Sequence, residues 1–545
     1  MEEDNVLRGS IKSASYNMIL QIAFRVITFV LNGLVLHNVD KEVLGILNVR
    51  LMLLLMTILF VSREAFRRAC MSKTKDHNWP QVINLLWLTV PSVMLCSFVF
   101  CYIWLHWLEL PSTEHVADYQ FSVYVFGISC VIESFTEPVY VFSQAFLYVG
   151  WRLFVDMVLL FLRVGTLVVT VLYFPAYTIR SMAYGQFAVS TTLLLLYWLY
   201  FHRQFQKKAQ MLKNKKVHRG DPLLILPFNS VWDFLPKRVE GQALIGSDLA
   251  FLTWGFFKQG ILKQLLTEGE RYVMTVFAVL SFAEQGVYDV VNNLGSMAAR
   301  FLFLPIEESS YFYFAQMLNR SVPIEKQPRK EVEQIVDVLR RLLRGLTLLG
   351  TTIVVFGYSY SHLLLHLYGG NTLTDGAGPL LLKTHCFAVW LMAVNGVTEA
   401  YVFAAMSQEQ LDKYNRLMVL LSAIFLGLSW LFSRLFGSVG FILANCVNMA
   451  LRVGHSLYFI NDQYRHWGDN PLHGLLPSKL EAISLITCFV VTASSSVMVY
   501  PDSAIIHVGI GAISGLALVG AILFAEPELT QVLISAVKKR LGKSD

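Results

Sequence analysis

Long apolar runs follow one another along most of the chain, separated by short polar breaks, from about residue 15 to residue 524. A hydrocarbon core about 30 Å thick needs roughly 20 apolar residues per helix, so runs of this length predict membrane-spanning helices. The alternating polarity of outer-membrane barrel strands is not seen. The pattern therefore predicts an all-α polytopic membrane protein.

Counting these runs predicts about fourteen transmembrane helices. The first six are predicted at 15–37, 42–66, 80–106, 119–147, 152–174 and 178–202. The other eight are predicted at 255–281, 286–317, 341–367, 379–405, 415–436, 438–460, 479–500 and 504–524. The first run contains Arg25 and ends in LNGLVLHNVDKEV without a small-residue cleavage site. We interpret it as a spanning helix and not as a removable signal peptide.

The longest polar connection divides the chain into two halves. It predicts an N-terminal lobe of six helices at 1–203, a cytosolic linker at 204–247, a C-terminal lobe of six helices at 248–460, and two further helices with a basic cytosolic tail at 461–545. In each lobe a long helix, a short turn and a second helix with a charged doublet follow one another, and the doublets are Arg63-Glu64 and Glu307-Glu308. Transporters are commonly built from internal repeats, so this weak similarity favours two lobes.

Composition supports the membrane assignment, and the charge distribution predicts orientation. Hydrophobic residues make up 55% of the chain and charged residues 15%, with a mean hydropathy of +0.53 and a net charge of +6. Basic residues collect at 63–77, 202–219, 320–344 and the C-terminus, whereas 108–118 carries acids. The positive-inside rule places the basic loops and both termini in the cytosol. Nucleic acid or anionic lipid could attract such loops, but their position beside spanning helices favours a topology signal, and no nucleic-acid partner is expected.

The sequence lacks the motifs of common catalytic and metal sites. The seven cysteines show neither CxxC pairs nor the His spacing of a metal site, which indicates packing residues. No GxxxxGK[ST] loop, GxSxG elbow or HExxH helix occurs, so we expect no cofactor, no metal, no catalytic residues and no enzymatic activity. His362 and His366 share a helix face, but without a third ligand they are more readily explained as packing or interfacial residues.

Ionisable residues interrupt the apolar runs. They are Arg25, Glu133, Glu137, Arg163, Arg300, Glu399 and Arg452. A charge at the bilayer centre costs about 2.5–3.5 kcal/mol, so such side chains normally face a bundle interior or a wet cavity. Arginines outnumber the acids in the first lobe, and a guanidinium suits phosphate or carboxylate oxygens through paired hydrogen bonds. The pattern therefore indicates an anionic head group as ligand.

The densest set of charges lies in KQLLTEGERYVMTVF, residues 263–277. On one helix its polar residues fall within an arc of roughly 160°. They are Lys263, Gln264, Thr267, Glu268, Glu270 and Arg271. The charges could neutralise one another in an interfacial amphipathic helix, or they could line a cavity between the lobes with a bend at Gly269. The other intramembrane arginines favour the cavity, because an interfacial helix does not explain them.

Four stretches resemble the Rft family of endoplasmic-reticulum proteins. They are SREAFRR (62–68), TEPVYVFSQ (136–144), LLTEGERYVM (265–274) and ARFLFLPIEESSYFYFAQ (299–316). Beyond about residue 340 the resemblance lies in helix count and order. The family belongs to the multidrug/oligosaccharidyl-lipid/polysaccharide exporter superfamily, which also contains the bacterial lipid II flippase. The resemblance implies two six-helix lobes in a V around a central cavity, with two extra C-terminal helices.

The resemblance also implies a function, a location and a ligand. The function is translocation of the pentamannosyl-chitobiosyl diphosphodolichol from the cytosolic to the lumenal leaflet of the endoplasmic reticulum for N-glycosylation. The expected partners are this dolichol-linked oligosaccharide, membrane lipids and other N-glycosylation proteins. Two alternatives stay open, a glycolipid-binding partner of that machinery that does not transport, and a cation-coupled small-molecule exporter on the same fold. Such an exporter needs acids without matching bases, whereas acids and bases are interleaved here.

On this hypothesis bases attract the diphosphate, and acids position those bases or bind sugar hydroxyls. The bases are Arg25, Arg63, Arg67, Lys263, Arg271 and Arg300. The acids are Glu64, Glu137, Glu268, Glu270, Glu307 and Glu308. Pro138 and Pro305 could kink helices beside these acids, and a static kink is the favoured interpretation. The sequon at Asn319 is expected in the cytosol and therefore unmodified.

Overall fold

The structure is a computed structural model that describes residues 31–72 except 32 and 34, and residues 78–214, 226–238, 243–320 and 322–527. Within these ranges the chain forms helices, turns and loops, and no strand occurs. The chain divides into two compact units, Met1–Gly286 and Val287–Asp545. Most of the first predicted helix, including Arg25, lies outside the described residues.

The first unit contains eight described helices and the start of a ninth. These are α1 (Lys41–Met71), α2 (Trp79–His106), α3 (Val116–Ser134), α4 (Glu137–Ala145), α5 (Val149–Tyr173), α6 (Thr178–Lys213), α7 (Ser247–Thr267), α8 (Gly269–Val276) and the start of α9 (Phe282–Ala298). A π-helical segment, Gly45–Leu51, lies within α1. The first turn of α9 approaches α1 closely, since a Cβ at Gly45 would lie 1.8 Å from the carbonyl oxygen of Phe282.

The second unit continues α9 and adds seven longer helices. A π-helical segment, Ala299–Phe303, joins α9 to α10. The further helices are α10 (Leu304–Met317), α11 (Arg329–Gly369), α12 (Gly378–Ala405), α13 (Gln408–Phe436), α14 (Val439–Gln463), α15 (Lys479–Met498) and α16 (Ala504–Ala525).

Length and composition identify many of these helices as membrane spans. Nine helical segments in the described residues are long and apolar enough to cross a membrane, and α3 with α4 would make a tenth. The prediction of an all-α polytopic membrane protein is confirmed. The count of about fourteen is not confirmed, because the segments 247–276, 282–317 and 439–463 are helical without being among the nine.

Two helix breaks fall where the sequence predicted bends. The axes of α3 and α4 differ by 50° across residues 135 and 136, and Pro138 occupies the first turn of α4. Proline lacks a backbone N–H and clashes with the preceding turn, so a helix readily begins at this position but does not run through it unbent. The second break separates α7 from α8 at Glu268, next to Gly269.

An aromatic cluster forms the core at one end of the first unit. The ring of Phe142 on α4 stacks on Phe228 at a centroid distance of 5.0 Å and meets the edge of Phe234 at 5.1 Å. Both partners lie in the segment 226–238 of the predicted linker. Lys208 on α6 fixes this segment through its ammonium group, which donates to the backbone oxygens of Leu226 at 2.8 Å and Phe228 at 2.9 Å. This part of the linker is therefore packed against the helices.

The second unit packs around α11, α12 and α14, with buried Leu339, Val397, Tyr401 and Ile460 in its core. The last two helices also attach to α11. The Ser359 hydroxyl donates to Thr492 Oγ1 on α15 at 2.9 Å, and the Tyr360 hydroxyl donates to the backbone oxygen of His507 on α16 at 2.8 Å.

The compact units and the predicted lobes use different boundaries. The units divide after Gly286, so α7 and α8 lie in the first unit, where α7 packs along α1. The predicted lobes divide at 204–247, at the longest polar connection. The assignment of lobes at 1–203 and 248–460 stays a prediction.

The packed linker leads to a stability prediction for two aromatic residues only two positions apart. Phe234→Ala should lower the free energy of unfolding by about 3–5 kcal/mol, because the ring is 0% exposed and its loss leaves a cavity. Trp232→Ala is the matched control and should change stability by about 0.5 kcal/mol or less, since Trp232 is 66% exposed. Thermal unfolding in detergent, followed by fluorescence-detected size exclusion, measures both. Equal midpoints for the two variants would contradict the packing of this segment.

Candidate functional site

Four charged side chains of the first unit meet at the break between α3 and α4. Arg63 and Arg67 lie one turn apart on α1 and share a face of that helix. Glu133 lies in the last turn of α3, and Glu137 is the first residue of α4. We call these four residues the first-unit cluster. The break brings Glu137 beside both arginines because it turns the start of α4 away from the axis of α3.

The first-unit cluster is held by short ion pairs. Arg67 donates from Nε to Glu137 Oε2 and from Nη2 to Glu137 Oε1, both at 2.7 Å. Arg63 Nη1 donates to Glu133 Oε1 at 3.0 Å and to Glu137 Oε1 at 3.1 Å. The Arg67 guanidinium also lies 4.1 Å from the ring centroid of Tyr140. A bidentate pair of this kind is both strong and specific in geometry, so Glu137 fixes the direction of Arg67.

Glu137 is more deeply buried than the two arginines that it binds. The Glu137 side chain is 1% exposed, whereas the side chains of Arg63 and Arg67 are 15% and 17% exposed. The arginines therefore retain accessible edges while their charges are balanced. Glu64 lies outside the cluster and pairs with Arg68 at 2.8 Å on the same helix.

The polar residues of the segment 263–277 are divided between two helices by the break at Glu268. Gln264 is buried and donates from Nε2 to the Tyr272 hydroxyl at 3.4 Å, and that hydroxyl lies 2.7 Å from Thr57 Oγ1 on α1. Arg271 donates to Glu268 at 3.0 Å, as its spacing predicts. Lys263 is exposed, and Glu270 is half-buried. The stripe expected on one continuous helix is thus two short polar surfaces.

A second charged cluster lies in the second unit around Glu399. Its carboxylate accepts hydrogen bonds from Arg452 Nη2 at 2.5 Å, from Asn395 Nδ2 at 3.0 Å and from the Tyr414 hydroxyl at 2.7 Å. Glu307 on α10 lies against Gly396, where a Cβ would be 2.8 Å from Glu307 Oε2. Glu307 thus lies beside the helix that carries Asn395 and Glu399, while Arg452 pairs with Glu399. We call Glu307, Asn395, Glu399, Tyr414 and Arg452 the second-unit cluster.

The remaining predicted site residues of the second unit are more exposed. Arg300 lies in the π-helical segment before α10 and donates to Asn293 Oδ1 at 3.3 Å, while Asn293 donates to Asp289 at 3.0 Å. Glu308 is exposed, next to half-buried Glu307. Arg25 lies outside the described residues, so its position relative to either cluster stays a prediction.

Arg50 is a buried charge that the sequence reasoning missed. Its side chain is 0% exposed, and it donates to Gln285 Oε1 and to the backbone oxygen of Thr275, both at 3.1 Å. The guanidinium also lies 4.6 Å from the ring centroid of Phe282. The sequence offered one indication of this residue, since Arg50 is an arginine inside the apolar run of α1. Arg50 links α1 to the end of α8 and the start of α9. Asn395 and Tyr414 were also missed, since an uncharged polar residue in a helix carries no comparable signal.

We searched the described part of the chain for residues that could bind a metal ion. No group of three or more His, Cys, Asp or Glu residues there is arranged to hold a metal ion. His362 shares a hydrogen bond of 3.0 Å with the Tyr500 hydroxyl, which agrees with its interpretation as a packing residue.

Comparison with known protein sequences identifies a family across nearly the whole chain. Residues 9–536 match the family described as Rft protein. The chain is 42% identical to the Man(5)GlcNAc(2)-PP-dolichol translocation protein RFT1 of Xenopus tropicalis, over 99% of each protein. It is 40% identical to the protein of that name from Mus musculus, over 100% of this chain and 99% of the relative. The RFT1 protein of Saccharomyces cerevisiae is 25% identical over 85% of this chain and 84% of its own length.

Two solved structures share the fold. The inward-facing multidrug resistance transporter of the MATE family in the MOP superfamily gives a TM-score of 0.53 at 11% identity, over 81% of this chain and 95% of that one. The lipid II flippase MurJ, in its inward closed conformation, gives a TM-score of 0.54 at 13% identity, over 94% of this chain and 100% of that one. The exporter-type fold that the resemblance implied is confirmed.

The ion pairs of the first-unit cluster lead to a prediction about Glu137. Glu137→Gln should destabilise the protein by about 3 kcal/mol, because it removes the carboxylate that pairs with Arg67 and leaves Arg63 with Glu133 alone. Glu64→Gln, on the more exposed pair with Arg68, should cost about 1 kcal/mol or less. Thermal unfolding of both variants in detergent provides the measurement. The double variant Glu137→Gln/Arg67→Met should be more stable than Glu137→Gln alone, because it removes the unpaired charge. If the destabilisation of the double variant equals the sum of those of the two single variants, the two charges are not coupled and the prediction is contradicted.

Proposed function

This chain belongs to the Rft family, and we propose that it translocates the pentamannosyl-chitobiosyl diphosphodolichol from the cytosolic to the lumenal leaflet of the endoplasmic-reticulum membrane. One observation carries the proposal. Relatives named as Man(5)GlcNAc(2)-PP-dolichol translocation proteins are 40–42% identical to this chain over 99% or more of its length. The matched region of these relatives spans the positions of both clusters.

The chemistry of this substrate calls for polar groups at membrane depth. A diphosphate and seven sugars cannot cross hydrocarbon unless polar groups replace their water, whereas the polyisoprenoid chain is as apolar as the lipid tails. The first-unit cluster places two guanidinium groups and two carboxylates within helices of a membrane protein. These groups can exchange protein partners for ligand partners.

We assign the bases of the site to the diphosphate and the acids to the control of those bases. Arg63 and Arg67 retain partial exposure while they are paired, so an incoming phosphate competes with Glu133 and Glu137 for their N–H donors. We assign the same role, binding of the diphosphate, to four further bases: Lys263, Arg271, Arg300 and Arg25.

The second-unit cluster favours a second candidate function, cation coupling. The second-unit cluster holds two carboxylates, those of Glu307 and Glu399, and one guanidinium, that of Arg452, which pairs with Glu399. This differs from the interleaved acids and bases expected from the sequence. Like charges that share one site in an apolar surrounding favour uptake of a cation, and a proton is the simplest one. Dependence of transport on a proton gradient would support this candidate.

Localisation and orientation are part of the same proposal. We place the chain in the endoplasmic-reticulum membrane with both termini in the cytosol, since the basic segments 202–219 and 320–344 then face the cytosol. Other N-glycosylation proteins are proposed partners, because the product leaflet is where oligosaccharide transfer occurs.

Transport in liposomes tests the function. Purified protein reconstituted with the dolichol-linked heptasaccharide should make the sugar accessible in the opposite leaflet at least tenfold faster than protein-free vesicles do. A rate equal to that of protein-free vesicles would favour the glycolipid-binding partner that does not transport. Arg271→Ala should lower the rate several-fold at unchanged protein abundance, since the ion pair with Glu268 is partly exposed and contributes about 1 kcal/mol or less to stability. Lys413→Ala, from the exposed pair with Glu409, is the control and should leave the rate unchanged.

Labelling of introduced cysteines tests the orientation. In intact microsomes a membrane-impermeant maleimide should react with Cys at Asn229→Cys in the linker but not at Thr113→Cys, because only the linker is expected in the cytosol. Both positions are exposed, so detergent should make both react. Labelling of Thr113→Cys alone in intact vesicles, or carbohydrate on Asn319, would reverse the orientation.

A further inference from the structure

A further arginine of the first unit lies within an apolar helix that does not belong to the first-unit cluster. Arg163 is half-buried on α5 and donates from Nη2 to Gln186 Oε1 on α6 at 3.0 Å. Gln186 is buried and donates in turn to Ser190 Oγ at 3.3 Å. We propose that Arg163 is a binding residue for the phosphate groups of the translocated lipid, a role that rests on the function proposed above.

The charge of Arg163 lacks a contacting carboxylate among the described residues. The carboxylates of Glu133 and Glu137 pair with Arg63 and Arg67 at 2.7–3.1 Å. Within the described residues the positive charge of Arg163 therefore has no carboxylate in contact, and an anionic ligand would neutralise it.

The hydrogen-bond donors of Arg163 are also largely free. A guanidinium carries five N–H donors. Within the part of the chain that the structure describes, one of them meets Gln186, and no other protein acceptor is in hydrogen-bond range. Arg67, by contrast, directs two donors to Glu137. A phosphate that reaches this group can bind Arg163 without displacing a carboxylate.

The position of Arg163 along α5 decides which phosphate this is. Fourteen residues separate it from Val149 and ten from Tyr173, so it lies about 21 Å and about 15 Å from the two helix ends. A hydrocarbon core about 30 Å thick centres close to this level. Phosphates of resident phospholipids stay at the two surfaces. The phosphate that meets Arg163 is therefore one that crosses the membrane, as the diphosphate of the glycolipid would.

Close packing holds this part of α5 against α6. A Cβ at Gly185, next to Gln186, would lie 2.9 Å from Thr166 Cγ2, which is one turn from Arg163. The glycine thus allows α5 and α6 to approach where Gln186 meets Arg163. Gln186 positions the guanidinium through an uncharged contact that leaves its charge available.

Binding of paired probes by the full chain in nanodiscs tests the proposal. The probes are a polyprenyl diphosphate, the uncharged polyprenol of equal length and phosphatidic acid. Arg163→Gln should weaken binding of the diphosphate about tenfold and leave polyprenol binding unchanged, because only the charge-assisted contact is lost. Arg163→Lys should retain most of the affinity. Arg152→Gln is the control on the same helix, since Arg152 is exposed and pairs with Asp156, and it should bind as the wild type does.

The outcomes separate this proposal from the function on which it rests. Unchanged diphosphate binding by Arg163→Gln would overturn the role of Arg163. Equal weakening of diphosphate and polyprenol would assign Arg163 to packing, and equal weakening of diphosphate and phosphatidic acid would assign it to resident lipid, so either result also overturns the proposal. Failure of the wild type to translocate the glycolipid in liposomes would instead overturn the proposed function. Translocation by the wild type with a rate loss of several-fold in Arg163→Gln supports both.

Discussion

The cost of an unpaired charge in hydrocarbon is the constraint on which this structure depends. The chain carries arginines and glutamates in helices that must otherwise be apolar, and it compensates for most of them with short ion pairs between helices. In the first unit Glu137 binds Arg67 through two hydrogen bonds of 2.7 Å. In the second unit Glu399 binds Arg452 at 2.5 Å and also receives Tyr414 and Asn395. These pairs fix which helices are neighbours, because removing one partner leaves the other buried and charged.

Breaks in the helices place these charges. Glu133 and Glu137 lie on either side of the 50° bend between α3 and α4, and both reach Arg63. The break at Glu268 divides the polar residues of the segment 263–277 between α7 and α8. Gln264 and Tyr272 contact each other, and Tyr272 contacts Thr57 on α1, whereas Lys263 is exposed. Among the described residues, Arg163 and Arg300 donate to the uncharged side chains of Gln186 and Asn293.

The fold of this chain is shared with MurJ and with a MATE transporter. Both share the fold at 11–13% identity, so the pattern of apolar helices tolerates nearly complete replacement of individual residues. A charge in a membrane helix needs a partner from another helix, which limits where charged residues can be placed. The packed linker segment 226–238 contributes Phe228 and Phe234 to a core of the first unit.

The sequence by itself determined the all-α membrane class, the positions of most helices, the bends at Pro138 and Gly269, and the family. It could do so because apolar run length, proline and glycine act locally. It could not determine that Glu137 joins both Arg63 and Arg67, that Arg50 reaches Gln285, or that Arg163 donates to the uncharged Gln186. Those facts depend on which helix faces lie together, and residues up to 235 positions apart in the chain meet there. Tertiary structure decides them because a buried charge is stabilised by its neighbours in space, whatever their place in the sequence.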